Sequence, residues 1–213
     1  MSKKGRSASS SRWLQEHESD SFVQASRSEG YRSRAVYKLR EIDRRDRLIK
    51  PGQRVVDLGA APGGWSQYVA ERQQGSGRIV ALDCLAMDEL PGVTFLQGDF
   101  REQSVLNELE AVLEGQKADL VLSDMAPNMS GIRVADQAAA VGLAELALDF
   151  ALQHLRPGGD LLVKLFQGEG SDELRRSMMA AFAKVQVRKP AASRDRSREI
   201  YFLARSLIRN GQE

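Results

Sequence analysis

Between residues 54 and 205, short apolar runs alternate with longer stretches in which apolar side chains recur every three to four positions. RVVDLG (54–59), RIVALD (78–83), VTFLQGD (93–99), ADLVLSD (118–124), DLLVKLF (160–166), KVQVRK (184–189) and EIYFLAR (199–205) have the length of strands, and most of them their β-branched and aromatic content. The stretches 64–73, 101–114, 135–155 and 171–183 read as helices. Upstream, SRAVYKLREIDRRDRL (33–48) reads as an amphipathic helix. Ala35, Val36, Leu39, Ile42 and Leu48 mark its apolar side, and Lys38, Arg40, Arg44, Arg45 and Arg47 lie mostly elsewhere. Pro51-Gly52 breaks the chain, and Arg156-Pro157-Gly158-Gly159 turns it into the fifth run. Residues 1–30 show no sustained apolar period and read as a flexible basic segment before a single domain over 31–208. The chain has no repeats.

Such alternation predicts an α/β fold: a doubly wound, Rossmann-like, mostly parallel seven-stranded sheet with helices on both faces. Ligands on such sheets sit beyond the strand carboxyl ends, near the topological switch point. Four of the runs end there in an acid: Asp57, Asp83, Asp99 and Asp124. The first leads into GAAPGGW (59–65). That loop has no Lys-Ser/Thr for a triphosphate, and its spacing departs from the G-x-G-x-x-G of dinucleotide sites.

Carboxylates repel phosphates. They suit a ligand that donates hydroxyl and amino hydrogens or carries positive charge, which describes S-adenosylmethionine. Gly59, Gly63 and Gly64 let backbone approach such a ligand, and the following helix N-terminus can receive its carboxylate. Asp83 is placed like the ribose-binding acid of dinucleotide folds. Any one of these residues is more often a turn-former; the reading rests on the whole set. NAD is the alternative, weakened by the glycine spacing.

Composition narrows the class. At 213 residues and 42% apolar content the chain supports one sizeable core. No apolar run approaches the ~18–20 residues of a membrane span. The basic, serine-rich start has no apolar stretch of a secretory signal. Cys84 is the only cysteine, which excludes an intramolecular disulfide and fits a reducing cytoplasm; with His17 and His154 it cannot make a Cys/His zinc site, and no metal is expected. Net charge is +2, but residues 1–54 carry 14 Lys/Arg against 7 Asp/Glu and the remainder 17 against 22. A basic segment on a mildly acidic body fits a polyanion partner as well as it fits a solvated tail.

The acceptor atom follows by comparing motifs. The fourth run ends SDMAPN (123–128), without the aromatic that stacks on a flipped base in amino-methylating enzymes. Cys84 follows Asp83, on the ribose side, a poor place for a carbon-methylating nucleophile, and reads as a small buried hydrophobe. An oxygen acceptor remains. Lys164 stands in an otherwise apolar strand, where a lysine is costly unless paired or functional, and Lys38 joins it as a candidate.

The stretches SRAVYKL, VVDLGAAPGGW, ALD, QGDF, LVLSDMAPN, SGIRVADQ, LRPGG, LLVKLFQGEG and SRDRSREIYFLA, spread over residues 33–204, resemble the FtsJ/RrmJ (RlmE) family of ribosomal RNA 2′-O-ribose methyltransferases, with no departure at the motif positions. The resemblance implies a catalytic set of Lys38, Asp124, Lys164 and Glu199, and cofactor contacts at Gly63, Trp65, Asp83, Asp99 and Asp124. It implies S-adenosyl-L-methionine as cofactor. The implied substrate is a uridine ribose in the A loop of 23S rRNA, methylated in the assembled 50S subunit; a monomer suffices. Lys164 is the candidate base, acting only in its neutral form; the alternative is that it orients the hydroxyl or stabilises a developing alkoxide. A free lysine has a pKa near 10.4; Lys38 and desolvation would lower that value, whereas Asp124 and Glu199 would raise it.

Basic stretches 32–47 and 184–198 (Lys184, Arg188, Lys189, Arg194, Arg196 and Arg198 against Asp195) are expected to contact RNA phosphates. Tyr201 and Phe202 read as strand core, and Trp13 has no assigned role. The same chemistry on tRNA, or a non-catalytic ribosome-assembly factor, are the competing functions. S-adenosylmethionine is expected to bind in calorimetry and to bind more weakly to Asp83→Ala; tight NAD binding with none to S-adenosylmethionine would overturn the cofactor reading.

Overall fold

The computed structural model describes residues 20–193 and 197–208. The elements in chain order are α1 (Ser21–Ser28), α2 (Val36–Asp46), β1 (Arg54–Leu58), α3 (Gly64–Gln73), β2 (Arg78–Asp83), β3 (Val93–Gln97), α4 (Gln103–Leu113), β4 (Ala118–Ser123), α5 (Arg133–His154), β5 (Leu155–Phe166), α6 (Ser171–Ala181), β6 (Phe182–Arg188) and β7 (Glu199–Leu207). All seven strands join one sheet in the order β3-β2-β1-β4-β5-β7-β6. Only β7 runs against its neighbours, pairing antiparallel with β5 and β6. The chain works outward from β1 to β3 and then returns to β4 on the other side of β1. That reversal opens a crevice between the carboxyl ends of β1 and β4, where open α/β sheets bind ligands.

Strands buried on both faces read as unbroken apolar runs, and the cores show why. Alternate residues of one strand enter different cores. Val55, Leu120, Leu162, Tyr201 and Leu203 pack with Leu39, Ile42, Trp65 and Val69 of α2 and α3. Val56, Val121, Val163 and Phe202 pack on the opposite face with Leu109, Ala147 and Met178 of α4, α5 and α6.

The apolar stripe expected of α2 is its buried face: Val36, Leu39 and Ile42 are inside, joined by Tyr37 and Asp43. Asp43 is a buried acid that organises the helix exit. It accepts from the Ile49 N–H (2.8 Å) and the Tyr68 hydroxyl (2.9 Å) and lies 3.4 Å from Arg72 Nε.

Two features depart from the pattern-based reading. Helix α1 lies in the segment without apolar period. It is too short and polar to show one, burying only Val23 and Ser26. Tertiary contacts hold it: Asp20 caps it and pairs with Arg34 (2.6 Å), Glu29 pairs with Arg40 (2.5 Å), and the Phe22 and Tyr37 rings lie 5.4 Å apart. The turn at 156–159 is likewise absorbed into β5 as a bulge. Leu155 pairs with Ala118 but Asp160 pairs with Leu120, and the extra residues loop outward.

Asp43→Ala leaves two buried donors unsatisfied and is expected to cost about 2–3 kcal/mol, read from the denaturation midpoint at unchanged slope.

Candidate active site

Lys164 and Tyr201 are direct partners across β5 and β7, and Phe166 pairs with Glu199 two positions on. The period-two alternation of strands therefore puts Lys164, Tyr201 and Glu199 together at the carboxyl end of β5. Asp124 arrives from the end of β4, its N–H bonded to Leu58 O of β1 (3.1 Å), and Lys38 from the first turn of α2. The four residues form two ion pairs. Lys164 Nζ lies 3.1 Å from Asp124 Oδ1 and also donates to the Asp124 carbonyl. Lys38 Nζ lies 2.8 Å from each Glu199 carboxylate oxygen.

Tyr201 couples the pairs. Its hydroxyl donates to Asp124 Oδ1 (2.7 Å), and Lys38 Nζ stands 5.9 Å from its ring centre. Burial pushes the phenol well above its ordinary value, with the Asp124 and Glu199 charges adding, so it remains a donor. Burial alone would raise the Asp124 carboxyl. The Lys164 and Lys38 charges and the Tyr201 hydrogen bond outweigh it and hold the group below its usual value. A cavity of about 230 Å³, lined by Arg34, Ala35, Lys38, Ala192, Ser197 and Glu199, opens onto the Lys38–Glu199 side.

The remaining acids ring the crevice. Asp83 accepts from the Ala61 N–H (2.9 Å) and the Leu85 N–H (2.8 Å), which fixes its carboxylate against the glycine loop. Asp99 is gripped by Arg101, whose side-chain hydrogen bonds hold its carboxyl down at about 2. Asp57 is fully buried. Ser66 donates to its Oδ2 (2.6 Å), while Oδ1 has no partner. Burial pushes its carboxyl up to about 7; the Ser66 hydrogen bond opposes this, and the charges of Asp124 and Asp83 add to it.

The glycines serve the protein's own close approaches. Gly59 (φ +77°) lies so near Met125 that an added Cβ would sit 2.7 Å from its side chain and 2.9 Å from its backbone. Gly63 (φ +104°) begins α3 without a side-chain cap, facing Met87 and Arg32. Trp65 is buried, its Nε1 donating to Ala35 O (2.8 Å) and its ring 5.8 Å from that of Tyr201. These residues fit S-adenosylmethionine. The rim offers carboxylates to a cation and to hydrogen-bond donors, including a sealed carboxyl with an unpartnered oxygen.

Tyr201 and Ser193 were not recognised from sequence as site residues. Ser193 Oγ donates to Glu199 Oε1 (2.7 Å). The signal for Tyr201 was its position two residues after Glu199 on one strand. Cys84 is exposed rather than buried, in the turn after β2; partial desolvation and the neighbouring Asp83 carboxylate push its thiol up.

Much of the expected basic RNA surface is engaged within the protein. Arg32 donates to Asp88 O and Glu89 O (2.7 Å each), Arg34 to Ala192 O (2.6 Å), Arg188 to Asp46 (2.6 and 2.7 Å) and Arg198 to Gln167 O (3.2 Å). Arg44, Arg45, Arg47 and Lys184 are exposed. Arg194, Asp195, Arg196 and Trp13 lie outside the described residues.

The strand order, the switch-point acids and the paired lysines define an S-adenosylmethionine-dependent methyltransferase. The chain belongs to the FtsJ-like methyltransferase family, whose sequence model matches residues 31–207. Its relatives include proteins named ribosomal RNA large subunit methyltransferase E. That of Azoarcus sp. (strain BH72) is 59% identical over 93% of this chain and 97% of its own length, and that of Xanthomonas oryzae pv. oryzae 60% over 93% and 94%. A Plasmodium falciparum crystal structure described as a ribosomal RNA methyltransferase superposes with a TM-score of 0.75 at 30% identity, covering 84% of this chain and 99% of that one. The mycinamycin-pathway methyltransferase MycE, solved with S-adenosylhomocysteine, shares the fold at a TM-score of 0.54 and 16% identity, over 82% of this chain and 47% of MycE.

Asp57 has a consequence for stability. Its carboxyl rises from 3.8 to about 7 on folding, so the folded state holds the proton more tightly. Stability from this group is full below pH ~4 and is lost as pH rises through about 7, by up to about 4 kcal/mol. Asp57→Asn is expected to raise the Tm of the ligand-free protein more at pH ~8 than at pH ~5, as read by calorimetric scans.

Proposed function

We propose that this chain methylates the ribose 2′-oxygen of a uridine in the A loop of 23S rRNA, acting on the assembled 50S subunit as a cytoplasmic monomer through one domain spanning residues 31–208. The Lys38–Glu199 pair on the cavity wall, coupled through Tyr201 to the Lys164–Asp124 pair behind it, carries the reading. The names of the large-subunit rRNA methyltransferase relatives support the substrate.

When bound, S-adenosylmethionine supplies a methyl group made electrophilic by the sulfonium. Asp83 would take the ribose hydroxyls and Asp99 the adenine amino group, with Gly63, Trp65 and Asp124 completing its contacts. The acceptor enters by the cavity lined by Arg34, Lys38 and Glu199.

Asp124 engages two of the three Lys164 hydrogens, one at its carbonyl and one at its carboxylate. The third position of the nitrogen is left for the acceptor: Lys164, once neutral, orients the hydroxyl and takes its proton as the oxygen is methylated, and the ammonium so formed stays paired with Asp124. Lys38, fixed by Glu199 with Ser193 behind it, brackets the acceptor from the other side. Positioning supplies roughly 7–11 kcal/mol of such a barrier, and handling the proton and its charge ~10²–10⁴-fold. Orientation therefore dominates, which suits a site built from interlocked ion pairs.

Methyl-tritiated S-adenosylmethionine is expected to label 50S subunits lacking the modification as 2′-O-methyluridine, in preference to naked 23S rRNA and bulk tRNA. Label on tRNA alone would keep the chemistry and overturn the substrate. Lys164→Ala and Asp124→Ala are expected to lower single-turnover rates at least ~10²-fold, and Glu199→Ala less. A near-normal rate for Lys164→Ala would remove it from the mechanism.

A further inference from the structure

Of the four rim acids, Asp57 alone is sealed from solvent. It ends β1 at the switch point, in register with Ala81 of β2 and Leu122 of β4, two positions short of Asp83 and Asp124. One carboxyl oxygen is held by Ser66 of α3, and the other has no partner. Three acids thus stand at the ends of three adjacent strands, and the innermost cannot be relieved by water.

We propose that Asp57 is the residue by which the site tells its cationic cofactor from the neutral spent form, ionising against the sulfonium charge and returning to the neutral acid once the methyl group has left.

The inference rests on the S-adenosylmethionine reading. That cofactor carries a sulfonium, an ammonium and a carboxylate, net one positive charge; S-adenosylhomocysteine carries a thioether in place of the sulfonium and is net neutral. An exposed carboxylate would sit ionised with either ligand and discriminate weakly through screened charge. A sealed carboxyl poised near neutrality gains its charge only when a compensating one arrives, and in low dielectric that difference is large. The groups facing it are few. Ser66 comes from α3 and Asp83 from β2. Asp124 follows β4, already countered by Lys164 of β5, Lys38 of α2 and Tyr201 of β7. Asp124 is compensated by cations and Asp83 by two backbone N–H groups, so Asp57 is the sealed acid with neither a cation nor a donor on its second oxygen. Loss of the sulfonium then removes the countercharge, Asp57 takes up a proton from solvent, and affinity for the product falls.

Titration calorimetry of the intact chain with S-adenosylmethionine and S-adenosylhomocysteine, in paired buffers of different ionisation enthalpy, counts the protons. At about pH 6.5 both ligand amines are protonated and silent. Wild type is expected to release roughly 0.7 proton per S-adenosylmethionine and well under half of that per S-adenosylhomocysteine. Between about pH 7.5 and 6 the S-adenosylmethionine Kd should weaken up to roughly tenfold, with the product's nearly flat. Asp57→Asn should abolish the release and shrink the affinity ratio between the two ligands. Ser66→Ala, which removes the hydroxyl stabilising the anion, should move the release maximum to higher pH, a shift that a merely structural role would not produce.

Equal proton release by both ligands in wild type would overturn the inference without any variant, as would unchanged linkage in Asp57→Asn. Equal loss of both affinities in Asp57→Asn would make the residue structural. Binding of neither ligand to wild type would overturn the cofactor reading, and this inference with it.

Discussion

The ion pair between Lys164 and Asp124 sits at the carboxyl ends of β4 and β5, beside the switch-point crevice between β1 and β4, and the surrounding site is arranged around it. Desolvated charges are tolerated only with partners and well-placed hydrogen bonds. Asp124 has two cations within electrostatic reach and a tyrosine hydroxyl on the same oxygen that faces Lys164. Lys164, only 8% exposed, has the Asp124 carbonyl as well as its carboxylate. Tyr201 belongs both to this network and to the core between the sheet and helices α2 and α3. The charged centre is therefore anchored by packing as well as by charge. Breaking one partner would leave a buried charge uncompensated, so this centre is stiff, as orientation-dominated catalysis requires.

A second frame holds the acceptor side. Helix α1 and the loop after it are tied to the segment before β7 and to the loop after β2 by arginines that the sequence suggested for RNA. Arg34 reaches both Asp20 and Ala192 O, and Arg32 clasps Asp88 O and Glu89 O. A partner's phosphates would meet these guanidiniums as parts of a fixed wall rather than as free arms. Arg188, two strands from Lys164, is locked to Asp46 with both side chains largely buried. Positive charge here positions protein first.

On the cofactor side, charge accumulates with the opposite sign. Asp57, Asp83, Asp99 and Asp124 each sit in a different environment: sealed, capped by two N–H groups, gripped by an arginine, and paired with a lysine. The same residue type thus does four jobs, set by burial and neighbours rather than by chemical identity.

Strand and helix periods settle local structure, and here they placed all seven strands, most helices and the strand-end acids, because each period reflects burial on one or two faces. The motif series brought Lys38, Asp124, Lys164 and Glu199 forward by resemblance. Helix α1 was not legible: eight residues with one buried apolar side chain carry no period, and its stability lies in ion pairs with residues distant in sequence. The bulge in β5 was hidden because Pro-Gly-Gly marks a turn equally well inside or outside a ladder. Tyr201 looked like core and is core, yet its hydroxyl completes the site, which only the pairing of β5 with β7 reveals. Sequence by itself determined which residues carry charge and at what spacing. The tertiary structure alone decided which of those charges are sealed from water, which are paired, and which arginines remain exposed, because burial and pairing arise from contacts between elements far apart in the chain.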